Sequence, residues 1–478
     1  MKRLSRAVAL CLAVPLPADA SDVIAVEPGD NLAEIVERAP EGAAFRFAPG
    51  IYRLQFARPK DGQKFVGRGE VIFNGAVLLS DWHKVGSYWV AVAAQERRQP
   101  SGICRREMPL CGHSEDLFVD GKVYRRVGSL AEVTAGSYFD DGHSIHVSDD
   151  PTGKLIEFGV LPFAFSSNAE HVLLQDIVIE KYASAAQRGA IEFAEGRSWE
   201  LRNVAARWNH GVGARIGPGT RIYGGSFSNN GQLGLGGGSG GDIRIENVEI
   251  AHNNYAGFRA GWEAGGTKFV RADGLLVRGA CVHHNEGPGL WTDIDNINVE
   301  FADNLVFENT GDGIKHEISY KAKIHGNKVA RNGFPEANWL WGSQILIQNS
   351  RDVEVYDNLV EVGTRYGNGI SIINQNRGDG RYGPRVATNN FVHDNVIVHL
   401  GATGRNGMVA DHEREWFEKD GRNLFESNTY VVPNDKHAYF FAKGDRARFS
   451  QLPGYGLEKA GKVEIATRKP LKLECPVP

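Results

Sequence analysis

The sequence predicts an all-β solenoid: a single right-handed parallel β-helix of about 23–24 residues per turn, with an N-terminal cap and an inserted β-rich subdomain. Glycine supplies 58 of the 478 residues and methionine only three, which suits many short strands joined by tight bends. From Glu170 onward, short apolar alternations end on Asn and bend at Gly, as in VHHNEGPGLWTD and VFENTGDGIKHE. Asn285, Asn309 and Asn332 close successive alternations at spacings of 24 and 23, each one winding of three short strands.

Residues 1–20 read as a signal peptide: Lys2, Arg3 and Arg6 precede an apolar stretch from Ala7 to Leu16, and Ala18-Asp19-Ala20 offers a cleavage site. A periplasmic or extracellular location is expected. Residues 21–79 are the N-terminal cap and first coils, where Asp30-Asn31 precedes a helical apolar period. Residues 80–160 break the later rhythm with pieces such as Leu117-Phe118-Val119 before an Asp120-Gly121 turn, and form the inserted subdomain. Residues 161–422 are the β-helix proper, and 423–478, where the repeat fades, are a C-terminal cap.

With 54 basic against 58 acidic residues there is no basic field to attract nucleic acid. No later segment approaches the ~18 apolar residues of a spanning helix, so membrane insertion is not expected. A monomer is expected. Cys104 and Cys111 lie seven apart in a loop-like stretch and are expected to pair as a local disulfide; only His113 lies nearby as a further zinc ligand. Cys281 reads as an inert core thiol.

Asn247, Asn304, Asn327, Asn358 and Asn395 read as buried rungs of amide ladders rather than as ligands. Counting from Asn247 to Ala280 spans 33 residues, so Trp262 to Val270 is expected to project as a loop. A second insert after Asn332 carries Trp339 and Trp341. The run Gly234 to Gly241 lacks a following Lys-Ser/Thr and reads as a close-packed bend or groove floor, not a phosphate cradle.

Eight residues on from Asn285 stands Asp293, and eight on from Asn309 stands Glu317, so both acids share one register in neighbouring windings. If Leu290, Thr292 and Ile294 face inward, Trp291, Asp293 and Asp295 face outward, with Lys315, Glu317 and Ser319 one rung on. The same count places Arg259 beside Trp291 and Lys315. Parallel strands lie ~4.8 Å apart, which brings the two carboxyls within the roughly 5–6 Å a retaining glycosidase uses. Two acids so close cannot both ionise cheaply. Asp293 is assigned as nucleophile and Glu317 as acid/base. Trp262, Trp291, Trp339 and Trp341 are candidate platforms for sugar rings. Arg259, Lys268 and Lys315 are candidate partners for a uronate or for the acids themselves. His316 reads as a satisfied inward histidine, and beside the acids it also enters the candidate substrate-binding set.

The segments WEAGGTKF, GLWTDIDN and EISY and the Asn-bend repeats resemble the pectin-lyase-like right-handed β-helix superfamily, specifically a bacterial subgroup described by its repeat. Gly289-Leu290-Trp291-Thr292-Asp293 followed by Glu317 resembles the retaining β-helix glycosidases of the β-xylosidase type. That likeness implies a nucleophile on the Gly-x-Trp-x-Asp strand, an acid/base Glu on the next winding and a polysaccharide or oligosaccharide substrate. The text around Asp295-Asn296 and Ile318-Ser319-Tyr320 departs from that pattern. A hydrolase needs no cofactor. The alternative is a lyase or epimerase in which Asp293, Asp295 and Glu317 hold Ca²⁺ and Lys315 or Arg259 takes a proton. A non-catalytic glycan-binding scaffold is the third reading.

Overall fold

The computed structural model describes residues 23–334, 339–442 and 444–475. The signal peptide expected over residues 1–20 lies outside them. At the start, the Asn31 side chain accepts from Glu34 N at 3.3 Å and caps the helix Leu32–Arg38. Its Leu32 and Val36 seal the apolar interior of the first coils.

Successive windings then repeat one plan. Ala272–Arg278, Cys281–His283 and Leu290–Asp293 make one winding; Ile297–Ala302, Leu305–Phe307 and Ile314–Glu317 make the next. Each strand pairs in parallel with its counterpart. The first two strands of each join a 24-stranded sheet, and the third builds a 12-stranded sheet along the same axis. Alternate side chains point into one continuous apolar core, where Val299, Phe301, Val306 and Ile314 belong to the same winding. Among the described residues no helix is long and apolar enough to cross a membrane.

Two amide ladders hold the corners. Asn309 Nδ2 donates to Val282 O at 3.1 Å and to Asn332 Oδ1 at 2.8 Å, while its own Oδ1 accepts from Asn285 N and Nδ2 at 3.1 and 2.8 Å. The amide is thereby fully satisfied, as burial demands. This ladder runs through Asn209, Asn230, Asn253, Asn285, Asn309 and Asn332, and a second through Asn304, Asn327, Asn358, Asn395 and Asn428. Gly289 follows Asn285 by four residues for a steric reason: a Cβ there would stand 2.7 Å from Gly313 O and 2.9 Å from Asn309 Nδ2.

Four sequence expectations change. Asn247 is exposed with φ 56°, outside the ladders, because Glu249 pairs with Cys281 and the residue opposite Ala280 is therefore Val248. The projecting insert is residues 254–264 and not Trp262 to Val270, since Gly265–Val270 is itself a strand of the 12-stranded sheet. Cys281 is not a free thiol: it is bonded to Cys475 of the C-terminal tail. Finally, parallel winding persists beyond residue 422, with Leu424–Glu426, Thr429–Val432 and Lys462–Ile465 all adding to the 24-stranded sheet.

Strands between residues 76 and 159 leave the solenoid to form a four-stranded and a five-stranded sheet with a separate small core around Leu117, Tyr138, Ile145 and Phe158. Beside them, Cys104 and Cys111 are joined, and Cys111 packs with Ala256, Phe258 and Ala264 of the 254–264 insert.

Candidate active site

Leu290 pairs with Ile314, Trp291 with Lys315 and Thr292 with His316, so the next position sets Asp293 opposite Glu317 on adjacent rungs. Leu290 and Ile314 enter the core. Thr292 and His316 also face inward and meet at 2.8 Å, and His316 Nε2 donates to Tyr320 O at 3.1 Å, which leaves Nδ1 to accept from the Thr292 hydroxyl. Burial pulls the His316 pKa down to about 4, so the ring is neutral and structural. Fully buried and bonded on both nitrogens, His316 does not face a substrate-binding surface as the sequence suggested.

On the outer face the charges interlock. Lys268 Nζ lies 2.9 Å from Asp293 Oδ2, and Lys315 Nζ lies 2.6 Å from Glu317 Oε2. Glu317 also accepts from Trp291 Nε1 at 3.1 Å and from Arg377 at 2.8 Å. Asp293 Oδ1 is buried and has no hydrogen-bond partner. The result is asymmetric. Burial, reinforced by the Glu317 charge, pushes the Asp293 carboxyl above its ordinary range. Burial pushes Glu317 the same way, but Lys315 and Arg377 outweigh it and hold Glu317 below its ordinary range. The two carboxyls are thus displaced in opposite directions, Asp293 upward and Glu317 downward, the reverse of the order that a nucleophilic Asp293 and an acid/base Glu317 would need.

Arg259 is not beside Trp291. It is exposed, ahead of the short helix Ala260–Glu263, because nine extra residues in that winding shift the count. Phe269 pairs with Thr292, so Lys268 takes that register. Trp291 is only 2 % exposed, with Lys268 and Lys315 ammoniums 4.2 and 4.7 Å from its ring centroid. These are cation–π contacts, so the ring is no open stacking platform. Trp262 packs against the Cys104–Cys111 loop, and its carbonyl accepts from Lys268 at 2.9 Å. Trp339 and Trp341 pack over Leu340, Leu346, Ile373, Val409 and Phe441 on the outer face. Leu346 is the rung next to Lys315, so this insert borders the acids.

Asp295 does not join the other two acids. Ile294 and Asp295 both have left-handed backbone, at φ 62° and 59°, which ends the alternation. Arg385 takes Asp295 in a two-oxygen clasp at 2.9 and 3.0 Å. Among the described residues, Asp293, Asp295 and Glu317 do not form a group whose ligand atoms converge, so the Ca²⁺ set read from the sequence is not assembled.

Arg377 and Arg385 were missed in the sequence. Both sit on a projecting segment around the hairpin Asp379–Gly380 and Gly383–Pro384, which folds back over earlier windings and is tied down by Tyr320 Oη donating to Gly383 O at 2.7 Å. The signal was present: the ladder step from Asn358 to Asn395 is 37 residues, far above one winding. Asp116 was missed as well. It takes Tyr255 Oη at 2.7 Å and the buried His210 at 2.9 Å, beside a cavity of about 390 Å³ between the inserted subdomain and the solenoid.

Residues 189–360 match the family described as a right handed beta helix region, which identifies the hand of the solenoid. Among solved structures, the chain is similar to that of XylC in complex with xylose, with a TM-score of 0.64 and 12% identity, over 91% of this chain and 83% of that one. It also matches a glycoside hydrolase at a TM-score of 0.45 and 11% identity, covering 70% and 88% of the two chains. The periplasmic alginate epimerase AlgG matches at 0.37 and 12%, covering 92% and 83%. The likeness to XylC supports a parallel β-helix along nearly the whole chain. No curated protein matches the sequence.

Proposed function

We propose that this protein is an exported glycoside hydrolase that retains anomeric configuration, with Asp293 as acid/base and Glu317 as nucleophile. One observation carries the reading: Asp293 and Glu317 stand on adjacent parallel rungs, with carboxyls displaced in opposite directions. One strand spacing is about 4.8 Å, close to the roughly 5–5.5 Å between the carboxyls of retaining enzymes. A proton on Asp293 would sit on Oδ1, which has no acceptor within the protein; because that atom is buried, a glycosidic oxygen reaches it only when the side chains covering it shift. Glu317, charged and held by three donors, would attack the anomeric carbon from the other side.

In the first step the glycosidic bond breaks as its oxygen takes the Asp293 proton and Glu317 forms an ester to the sugar. In the second, Asp293 takes a proton from water, whose oxygen displaces Glu317. Arg377, with about a third of its side chain in solvent, is the part of the cover that a substrate meets first. The resemblance of Gly289-Leu290-Trp291-Thr292-Asp293 to β-xylosidase-type enzymes, and the xylose named for XylC, favour a neutral sugar substrate. Export is supported by the two disulfides, Cys104–Cys111 and Cys281–Cys475, which persist in oxidising compartments.

The test is a polysaccharide panel read by product mass. Products carrying one added water per bond broken support the proposal. Unsaturated products of unchanged total mass would make the protein a lyase, and binding without product would leave a scaffold.

A further inference from the structure

A second cluster lies on the 24-stranded sheet, where two windings turn into the asparagine ladder. Ala251 pairs with His283, so the following residues, His252 and His284, also stand one rung apart. Both have left-handed backbone, at φ 56° and 51°, which turns their rings toward His283. The His283 and His284 Nδ1 atoms are 2.9 Å apart. A His252 ring nitrogen completes the set, and all three ligand atoms fall within 4.8 Å of one another. The His252 ring stacks on His284 with centroids 5.1 Å apart.

The far sides of the rings are equally ordered. His283 Nε2 meets Glu249 Oε1 at 3.2 Å, and His284 Nε2 meets Glu308 Oε2 at 3.0 Å. Glu308 is fixed in turn by Arg331 Nε at 2.9 Å, and Arg331 reaches Glu361. A metal-binding imidazole needs one nitrogen free for the ion and its other N–H held by an acceptor, a carboxylate above all. Two of these three histidines have that arrangement, with the Nδ1 atoms converging and the Nε2 atoms on glutamates. Packing alone gives no reason to aim two Nδ1 atoms at each other, where one must carry the proton and the other must not.

We propose that His252, His283 and His284 bind one borderline divalent transition ion, of the class of Zn²⁺, Ni²⁺ or Cu²⁺. Ligand distances of about 2.0–2.1 Å would ask the 2.9 Å nitrogen pair to open by only a few tenths of an ångström. The donor set is all imidazole, which suits these ions and not Ca²⁺ or Mg²⁺. His252 and His284 are exposed, so a further ligand position faces solvent. The neighbouring sulfurs of Cys281 and Cys475 are joined to each other, so they donate no thiolate. The ion would tie two windings together where the C-terminal tail is stapled to the solenoid, independently of the Asp293–Glu317 site.

The test uses full-length protein without a polyhistidine tag, stripped with chelator, dialysed against micromolar Zn²⁺ and analysed by elemental mass spectrometry. The expected result is one zinc per chain, lost in the His252→Ala/His284→Ala double variant and kept in Asp293→Asn. Glu308→Gln retains the three ligands and should weaken binding by roughly 10–100-fold. Failure of the wild type to retain zinc, or equal retention by a double variant with wild-type circular dichroism, would overturn the proposal.

Discussion

Asp293 and Glu317 share one register on adjacent rungs, yet Asp293 has a single ammonium partner and one unpartnered oxygen while Glu317 gathers Lys315, Arg377 and the Trp291 N–H. That inequality displaces the two carboxyls in opposite directions, Asp293 up and Glu317 down. On the account above it also divides the chemistry.

Removing either carboxylate should therefore cost activity without costing the fold. Asp293→Asn and Glu317→Gln are expected to lower kcat by at least roughly 10²-fold on whichever glycan the panel identifies. Their circular dichroism should match the wild type, because neither side chain enters the apolar core. Wild-type kcat in either variant counts against the pair.

The pH profile should carry both signatures. Activity needs Glu317 charged and Asp293 protonated, so the acidic limb follows Glu317, held low, and the basic limb follows Asp293, held high. Lys315→Met removes a cation that lowers Glu317 and should move the acidic limb up by roughly one pH unit. Lys268→Met should move the basic limb up instead. Were Lys315→Met to move only the basic limb, the two roles would have to be exchanged.

Stability should fall on acidification for a separate reason. His316 and His399 are buried neutral, each drawn down to about 4. A depressed folded pKa gives a contribution that is fully present above the unfolded value near 6.5 and is lost as pH falls toward 4. Each should cost about 2 kcal/mol between pH 7 and pH 5, read from urea midpoints. Equal midpoints at the two pH values would show that these rings are protonated in the folded chain.

The ladder sets a further expectation. Asn309→Leu removes the acceptor of the Asn285 backbone N–H and of one Asn285 Nδ2 hydrogen, leaving Nδ2 only Ile250 O, and removes the side-chain donor to the Val282 carbonyl. Unsatisfied buried groups cost about 1–3 kcal/mol each, so equilibrium unfolding should show a loss of at least about 2 kcal/mol. Asn247 is exposed and outside the ladder but has φ 56°, so Asn247→Gly should change stability by less than about 0.5 kcal/mol while Asn247→Ala should cost roughly 1 kcal/mol from the backbone alone.

How far the sequence could be read follows from how local each feature is. The 23–24 residue step is written in the spacing of ladder asparagines, so the solenoid, its register and the meeting of Asp293 with Glu317 were all legible. Counting failed wherever a winding held an insert. Arg259 was placed where Lys268 stands because nine residues intervene, and Arg377 and Arg385 arrive from a segment some 60 and 90 positions away from their partners. The bond from Cys281 to Cys475 spans 194 residues and leaves no trace in local spacing. The turn at Ile294 and Asp295 defeated strict alternation, because two successive left-handed residues swing Asp295 toward Arg385.

The most direct measurement is the mass of the Asp293→Asn protein after incubation with an aryl glycoside whose leaving group needs no acid. If Glu317 is the nucleophile, the first step still runs and the second stalls, so a glycosyl ester accumulates on the peptide containing Glu317. An adduct that accumulates on the same peptide in the Glu317→Gln protein, or an unsaturated sugar released in place of any ester, would contradict the account.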